Sequence, residues 1–145
     1  MLKGLDSLLT PELLMHLSAM GYGEWVAVVD ANFTADFLGK GKALVRLPGH
    51  SLERVSKAVL SVFPLAEDVA CPAAYMQVCH SPEGHQTAAQ ASVVALLSHE
   101  GLPASRVEAV ERFAFYEKIK GASVIVQSGE ATAYGNAMFC KGVIL

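Results

Sequence analysis

The chain has 145 residues, of which 52% are apolar and 17% charged, and its formal net charge is −3. That length suits one domain, since two separate cores would each be small for independent stability, and the apolar share is too high for disorder. Scattered basic residues argue against a nucleic-acid partner, and the opening MLKGLDSLLTPELL, broken by Asp6, Pro11 and Glu12, reads as neither a signal peptide nor a membrane span.

Thr10 is placed to cap a first helix, Pro11 suits its first turn, and Glu12 complements the positive end of the helix dipole. Leu13, Leu14, Leu17 and Met20 then form one apolar stripe, and Gly21 is the expected stop. Trp25-Val26-Ala27-Val28-Val29 is a continuous β-prone run, as expected for a strand buried on both faces. It ends on Asp30 and is followed by a loop from Ala31 to Gly41. Ala43 to Leu47 is a second short strand, closed by Pro48 and Gly49. Ser51 caps a helix carrying Leu52, Val55, Val59 and Phe63 at helical spacing, stopped by Pro64.

Ala73 to Cys79 reads as a strand and Thr87 to Glu100 as a helix closed by Gly101. Val107 to Arg112 is a further strand, running into a short helix near Phe113 to Lys120. Ser123 to Gln127 and Asn136 to Val143 are the last two expected strands. Strands alternating with helices predict a single α/β domain over residues 1–145, three layers deep (α/β/α) around a mostly parallel sheet.

In such sheets, ligands gather where loops leave the carboxyl ends of strands. Three segments deliver polar groups there: Asp30 with Asn32, Arg112 with Tyr116 and Glu117, and Gly129-Glu130 leading to Tyr134-Gly135-Asn136. A carboxylate at Asp30 suits vicinal sugar hydroxyls, although a loop-capping aspartate would look the same. Arg112 can hold hydroxyls with its planar donors, or pair with Glu111 or Glu117. Tyr134-Gly135-Asn136 suits either sugar recognition or a plain tight turn. His80 and His85, in the loop HSPEGH, lack further ligands at metal spacing and read as an exposed loop. Cys71, Cys79 and Cys140 share no metal or disulfide pattern and read as reduced thiols of a cytoplasmic protein. Neither a P-loop, nor a dinucleotide fingerprint, nor a G-x-S-x-G nucleophile motif is present.

The order of Met20-Gly21-Tyr22-Gly23-Glu24, Asp30-Ala31-Asn32-Phe33, Arg112-Phe113-Ala114-Phe115-Tyr116-Glu117, Tyr134-Gly135-Asn136 and Lys141-Gly142-Val143 is more specific than any one of them. Together they resemble the L-fucose mutarotase and D-ribose pyranase family (RbsD/FucU), the mutarotase branch more closely, over essentially the whole chain. The resemblance implies cofactor-free interconversion of the α and β anomers of L-fucose or a related free monosaccharide, with pyranase activity a further possibility. One group protonates the ring oxygen while another takes the anomeric hydroxyl proton, so acid–base and hydroxyl-binding residues suffice. It also implies sugar contacts at Asp30, Arg112, Tyr134, Gly135 and Asn136, and a homo-oligomeric, typically decameric ring with sites close to subunit contacts. Neither nucleic acid nor membrane is expected as a partner. The family's proton-donating histidine falls at Tyr22, which leaves Tyr22 and Asp30 as the expected catalytic pair. A phenol, with an ordinary pKa of about 10 against about 6.5 for imidazole, donates a proton at neutral pH but is a poor base. A catalytically weak sugar-binding protein acting in uptake or sensing is the alternative that this substitution raises.

Overall fold

A computed structural model describes all 145 residues. The regular elements in chain order are α1 (Pro11–Ala19), β1 (Trp25–Val29), α2 (Ala35–Leu38), β2 (Ala43–Leu47), α3 (Leu52–Leu60), β3 (Ala73–Met76), α4 (Ala88–His99), β4 (Val107–Val110), α5 (Arg112–Ile119), β5 (Ala122–Ser128) and β6 (Ala137–Cys140). A 3₁₀ turn at Ala104–Arg106 precedes β4.

Local chemistry accounts for the helix starts. Thr10 Oγ1 accepts the Leu13 N–H at 3.2 Å and Ser51 Oγ accepts the Arg54 N–H at 3.1 Å, so each satisfies a donor that the first helical turn leaves unpaired. Thr87 and Gln90 form a reciprocal capping box at α4. The end of α1 differs from expectation. Met20 turns to extended backbone (ψ 137°) and closes the helix itself, so Gly21 is not a left-handed stop. The Lys141 ammonium donates to the freed carbonyls of Leu17 and Met20 at 2.8 and 2.5 Å, which places a cation at the negative end of the helix dipole.

The six strands form one sheet in the order β2-β5-β1-β6-β3-β4. β2, β5 and β1 pair in parallel, as do β3 and β4, while β6 runs antiparallel between β1 and β3. The sheet is therefore mostly parallel, with one reversed strand near its centre. Side-chain alternation splits its apolar residues between two layers. Val26, Val28, Val124, Val126 and Phe139 face α1, α3 and α4, packing with Leu13, Leu17, Leu52, Val55 and Leu97. Ala27, Val29, Ile125 and Met138 face α2 and α5, packing with Ala35, Phe115 and Ile119. Val26, Val28 and Val29 are fully buried, which stabilises the fold by about 1.5–3 kcal/mol for each.

Further boundaries depart from the sequence expectation, among them that of β6, which ends at Cys140 rather than Val143. The loop after Asp30 contains α2, a single turn whose N-cap position, Thr34, makes no side-chain hydrogen bond. The helix begun by Ser51 ends at Leu60, and Phe63 reaches the core from the turn beyond it. β3 stops at Met76 rather than Cys79, because only Ala73 to Met76 pair with β4. Arg112 opens α5 instead of closing β4, since the Glu111 carboxylate accepts the N–H groups of Phe113 and Ala114 and starts the helix there.

Candidate functional site at the carboxyl edge

β6 runs opposite to its neighbours, so the residue before it lies at the edge where β1 and β3 end. Val28 and Tyr75 both stand opposite Ala137, and Asn136 therefore meets Asp30. The Asp30 N–H donates to Asn136 Oδ1 at 2.9 Å, across a sequence separation of 106 residues. Asp30 is 5% exposed and Asn136 is 2% exposed. One Asp30 oxygen accepts the Asn32 N–H at 3.0 Å, so the loop-capping role is real. Burial pushes the Asp30 carboxyl above its ordinary pKa. The N–H groups of Asn32, Gly135 and Phe33 and the Asn136 amide pull it part of the way back.

Tyr134-Gly135-Asn136 is both a tight turn and a precise mount. Tyr134 adopts left-handed backbone (φ 63°) and its carbonyl accepts the Asn136 N–H at 2.8 Å. A non-glycine residue there carries strain of about 1–3 kcal/mol, held in place by its surroundings. Gly135 has no room for a side chain: a Cβ would lie 2.8 Å from Glu130 Cγ and 3.0 Å from the Thr132 carbonyl. Glu130 fixes the loop from its other end, accepting the N–H groups of Leu52 at 3.2 Å and Thr132 at 2.9 Å, while its backbone carbonyl accepts the Ala31 N–H at 2.9 Å.

Arg112 stands at the same edge. It makes no ion pair with Glu111, which caps α5, or with Glu117, which pairs with Lys120. Its Nε donates to the Tyr116 hydroxyl at 3.0 Å, and its guanidinium lies 5.5 and 5.6 Å from the ring centroids of Phe113 and Tyr116. Tyr116 in turn packs on Phe33, with ring centroids 5.9 Å apart. The exposed guanidinium keeps donors free for a ligand. Tyr134 has Cys79 beside it, and that contact raises the phenol's pKa. A cavity of about 240 Å³ lined by Cys79, His80, Glu111 and Arg112 opens at this edge. His80 and His85 are exposed, as the sequence indicated. A larger cavity of about 750 Å³ lies where α3 and α4 end, lined in part by Phe63, Leu102, Arg106 and Ile144. Asp30, Tyr134 and Asn136 line neither cavity, but Arg112 lines the smaller one, and the edge that holds both Arg112 and the buried Asp30 is the better candidate for chemistry.

Tyr22 lies apart from the other expected site residues within its own chain. It precedes β1, whereas Asp30 follows it, and a five-residue strand separates the two edges by about 16 Å. Tyr22 does not enter the cleft of Asp30 in its own chain. Its hydroxyl donates instead to Asp68, and that bond holds the phenol above its ordinary pKa. Asp68 sits in a loop held by Arg106, whose guanidinium donates to the carbonyls of Glu67, Val69 and Ala70 at 3.0, 2.8 and 3.2 Å. Sequence reasoning missed this acceptor, and it missed Phe33, Gln90 and the clamping part of Glu130. The Thr87-x-x-Gln90 spacing is the local signal that could have found Gln90.

Fold and edge define the class: a three-layer α/β protein with a reversed central strand and a buried carboxylate at the strand edge where that reversal seats Asn136. The profile of the RbsD / FucU transport protein family matches residues 3–144, and the chain belongs to this family. It is 36% identical to the fucose mutarotase of Homo sapiens over 146 aligned positions, covering 99% of this chain and 94% of that protein. Among solved structures it is similar to FucU from Bifidobacterium longum, with a TM-score of 0.90, 35% identity and coverage of 99% and 100% of the two chains. It is also similar to the Streptococcus pneumoniae fucose mutarotase solved in complex with L-fucose, with a TM-score of 0.88, 26% identity and the same coverage.

Proposed function

We propose that this chain is a monosaccharide mutarotase that interconverts the α and β anomers of L-fucose or a closely related free sugar at its carboxyl edge. The observation that carries this reading is the buried Asp30, fixed by Asn136 where β1, β6 and β3 meet, in a full-length member of the family.

In this reading Asp30 exchanges a proton with the sugar. Its raised pKa keeps its basicity closer to neutrality than that of a solvated carboxylate, which favours reversible transfer. Arg112 and Tyr134 donate hydrogen bonds to hydroxyls and orient the ring. Gly135 admits the close approach of the turn to Asp30. Tyr22 holds its proton at neutral pH and supplies an acid only from the opposite edge, so it serves the site of a neighbouring copy. A closed homo-oligomer, a decameric ring as the family resemblance implies, would bring those edges together. The cytoplasm is the compartment we assign, in keeping with three free thiols; no helix is long and apolar enough to cross a membrane.

One observation favours a second reading, a sugar-binding protein with little turnover. The position of the family histidine holds Tyr22, whose proton is engaged by Asp68. Anomer exchange and affinity measured across a panel of free sugars decide between the two. Exchange above the spontaneous rate, fastest for L-fucose or a close relative, supports the mutarotase. Tight binding without exchange supports the binder, and neither effect with any sugar contradicts both.

A further inference from the structure

The polar side chain most deeply buried near the candidate site belongs to Gln90, which is 0% exposed and takes no part in the chemistry proposed above. It stands in the first turn of α4, where its Oε1 accepts the Thr87 N–H at 3.0 Å and its own N–H donates to Thr87 Oγ1 at 3.2 Å. A glutamate would serve that cap equally well. The amide is explained by its other end. Nε2 donates to the Met76 carbonyl at 2.6 Å and to the Tyr134 carbonyl at 2.8 Å, and only a carboxamide can accept from the cap while donating to both carbonyls.

We propose that Gln90 is the positioning residue of the site, setting the left-handed turn at Tyr134 and, through it, the placement of the Tyr134 ring and of Asn136 against Asp30. The inference rests on the mutarotase reading for its effect on turnover, while the turn itself can be observed separately. The Tyr134 carbonyl receives two donors, the Gln90 amide and the Asn136 N–H. The Met76 carbonyl receives the other Gln90 hydrogen, while the Met76 N–H donates to the Asn136 carbonyl at 3.1 Å. One buried side chain thus ties together the start of α4, the end of β3 and the turn before β6. Left-handed backbone at a tyrosine persists only where neighbours over-determine it, and Gln90 is the side chain that does so here. Asn136 Oδ1 then carries the constraint to the Asp30 N–H.

The test compares Gln90→Met, which keeps length and burial but removes both donors, with Thr87→Ala, which weakens the same helix start and leaves the amide in place. Gln90→Glu is a third variant that keeps the cap acceptor and deletes the donors. L-Fucose anomer exchange is measured for kcat and KM, and hydrogen exchange is followed at the Asn136 backbone amide. The expected result is a fall of about tenfold or more in kcat for Gln90→Met, with a smaller change in KM and faster exchange at Asn136, while Thr87→Ala loses thermal stability and keeps kcat. If Gln90→Met turns over like the parent, or if both variants lose kcat in proportion to stability, Gln90 is structural only and the proposal is overturned. If Gln90→Met does not fold, Gln90→Glu decides by the same criteria. If the parent exchanges no sugar, the mutarotase reading has failed and the Asn136 amide alone decides: lost protection sustains the positioning role, and unchanged protection ends it.

Discussion

Asp30 faces opposed demands of stability and chemistry. Its folded pKa is raised by burial, so the stability tied to its protonated form is full below the unfolded carboxylate value and is lost as pH rises through the folded one. At neutral pH the ionised carboxylate is therefore a net cost to the fold. Asp30→Asn keeps an oxygen for the Asn32 N–H and removes the buried charge, and it should raise the melting temperature at pH 7. The same change should lower anomer exchange by about 10²–10⁴-fold, the usual share of an acid–base group. Asp6 has the opposite sign. Two hydrogen bonds of 2.8 Å from Arg54 hold its carboxyl below the ordinary range, so its stabilisation is present above the unfolded pKa and is lost as pH falls through the folded one. Asp6→Asn should lower the melting temperature at pH 7 and converge on the parent in strong acid. The shared edge of the candidate residues Asp30, Arg112, Tyr134 and Asn136 was legible because each stands next to a β-prone run and carries unmistakable hydrogen-bonding groups. Tyr22 was expected to pair with Asp30, although the two flank a single strand, β1, and cannot share one end of it in one chain. What could not be read was the acceptor of its hydroxyl, because Asp68 lies 46 residues away in a loop without a local signal.

Elements with strong local chemistry followed their sequence closely. Thr10-Pro11-Glu12, Trp25 to Val29, Ala43 to Leu47 and the capped α4 all lie where caps and apolar runs placed them. α2 escaped because one turn has no periodicity to detect. The direction of β6 escaped because strand order and sense are set by distant pairings, here with β1 and β3, and not by its own residues. Yet that reversal is what seats Asn136 against Asp30. The loops that converge there are packed too tightly for added volume. A Cβ on Gly129 would lie 2.4 Å from the Gly49 nitrogen, where the loop after β5 crosses the loop after β2. Gly129→Ala should destabilise the fold by about 1–3 kcal/mol, as overpacking does, and calorimetry on the purified variant measures it directly. A melting temperature equal to that of the parent would mean that these loops can separate at no cost.

For the molecule as a whole, exposed Met15, Tyr22, Phe37 and Phe113 leave apolar surface for assembly, which the proposed role of Tyr22 requires. Sedimentation at micromolar concentration should show a species well above the 15.4 kDa of one chain, and a monomer alone would remove the route by which Tyr22 serves the chemistry. Tyr22→Phe should then slow exchange with little change in affinity, whereas Tyr22→His should hasten it and introduce a titration near neutral pH. Co-assembly of Tyr22→Phe with Asp30→Asn should raise exchange above that of either variant alone, since an interface of mixed origin regains one intact pair. The most direct test of the central claim is saturation-transfer NMR on L-fucose at equilibrium, with the parent protein beside Asp30→Asn. The parent should transfer saturation between the α and β anomeric signals faster than buffer does, and Asp30→Asn should fall back toward the spontaneous rate while still binding the sugar. Equal exchange by the parent and Asp30→Asn, or none by the parent above buffer, would contradict the central claim.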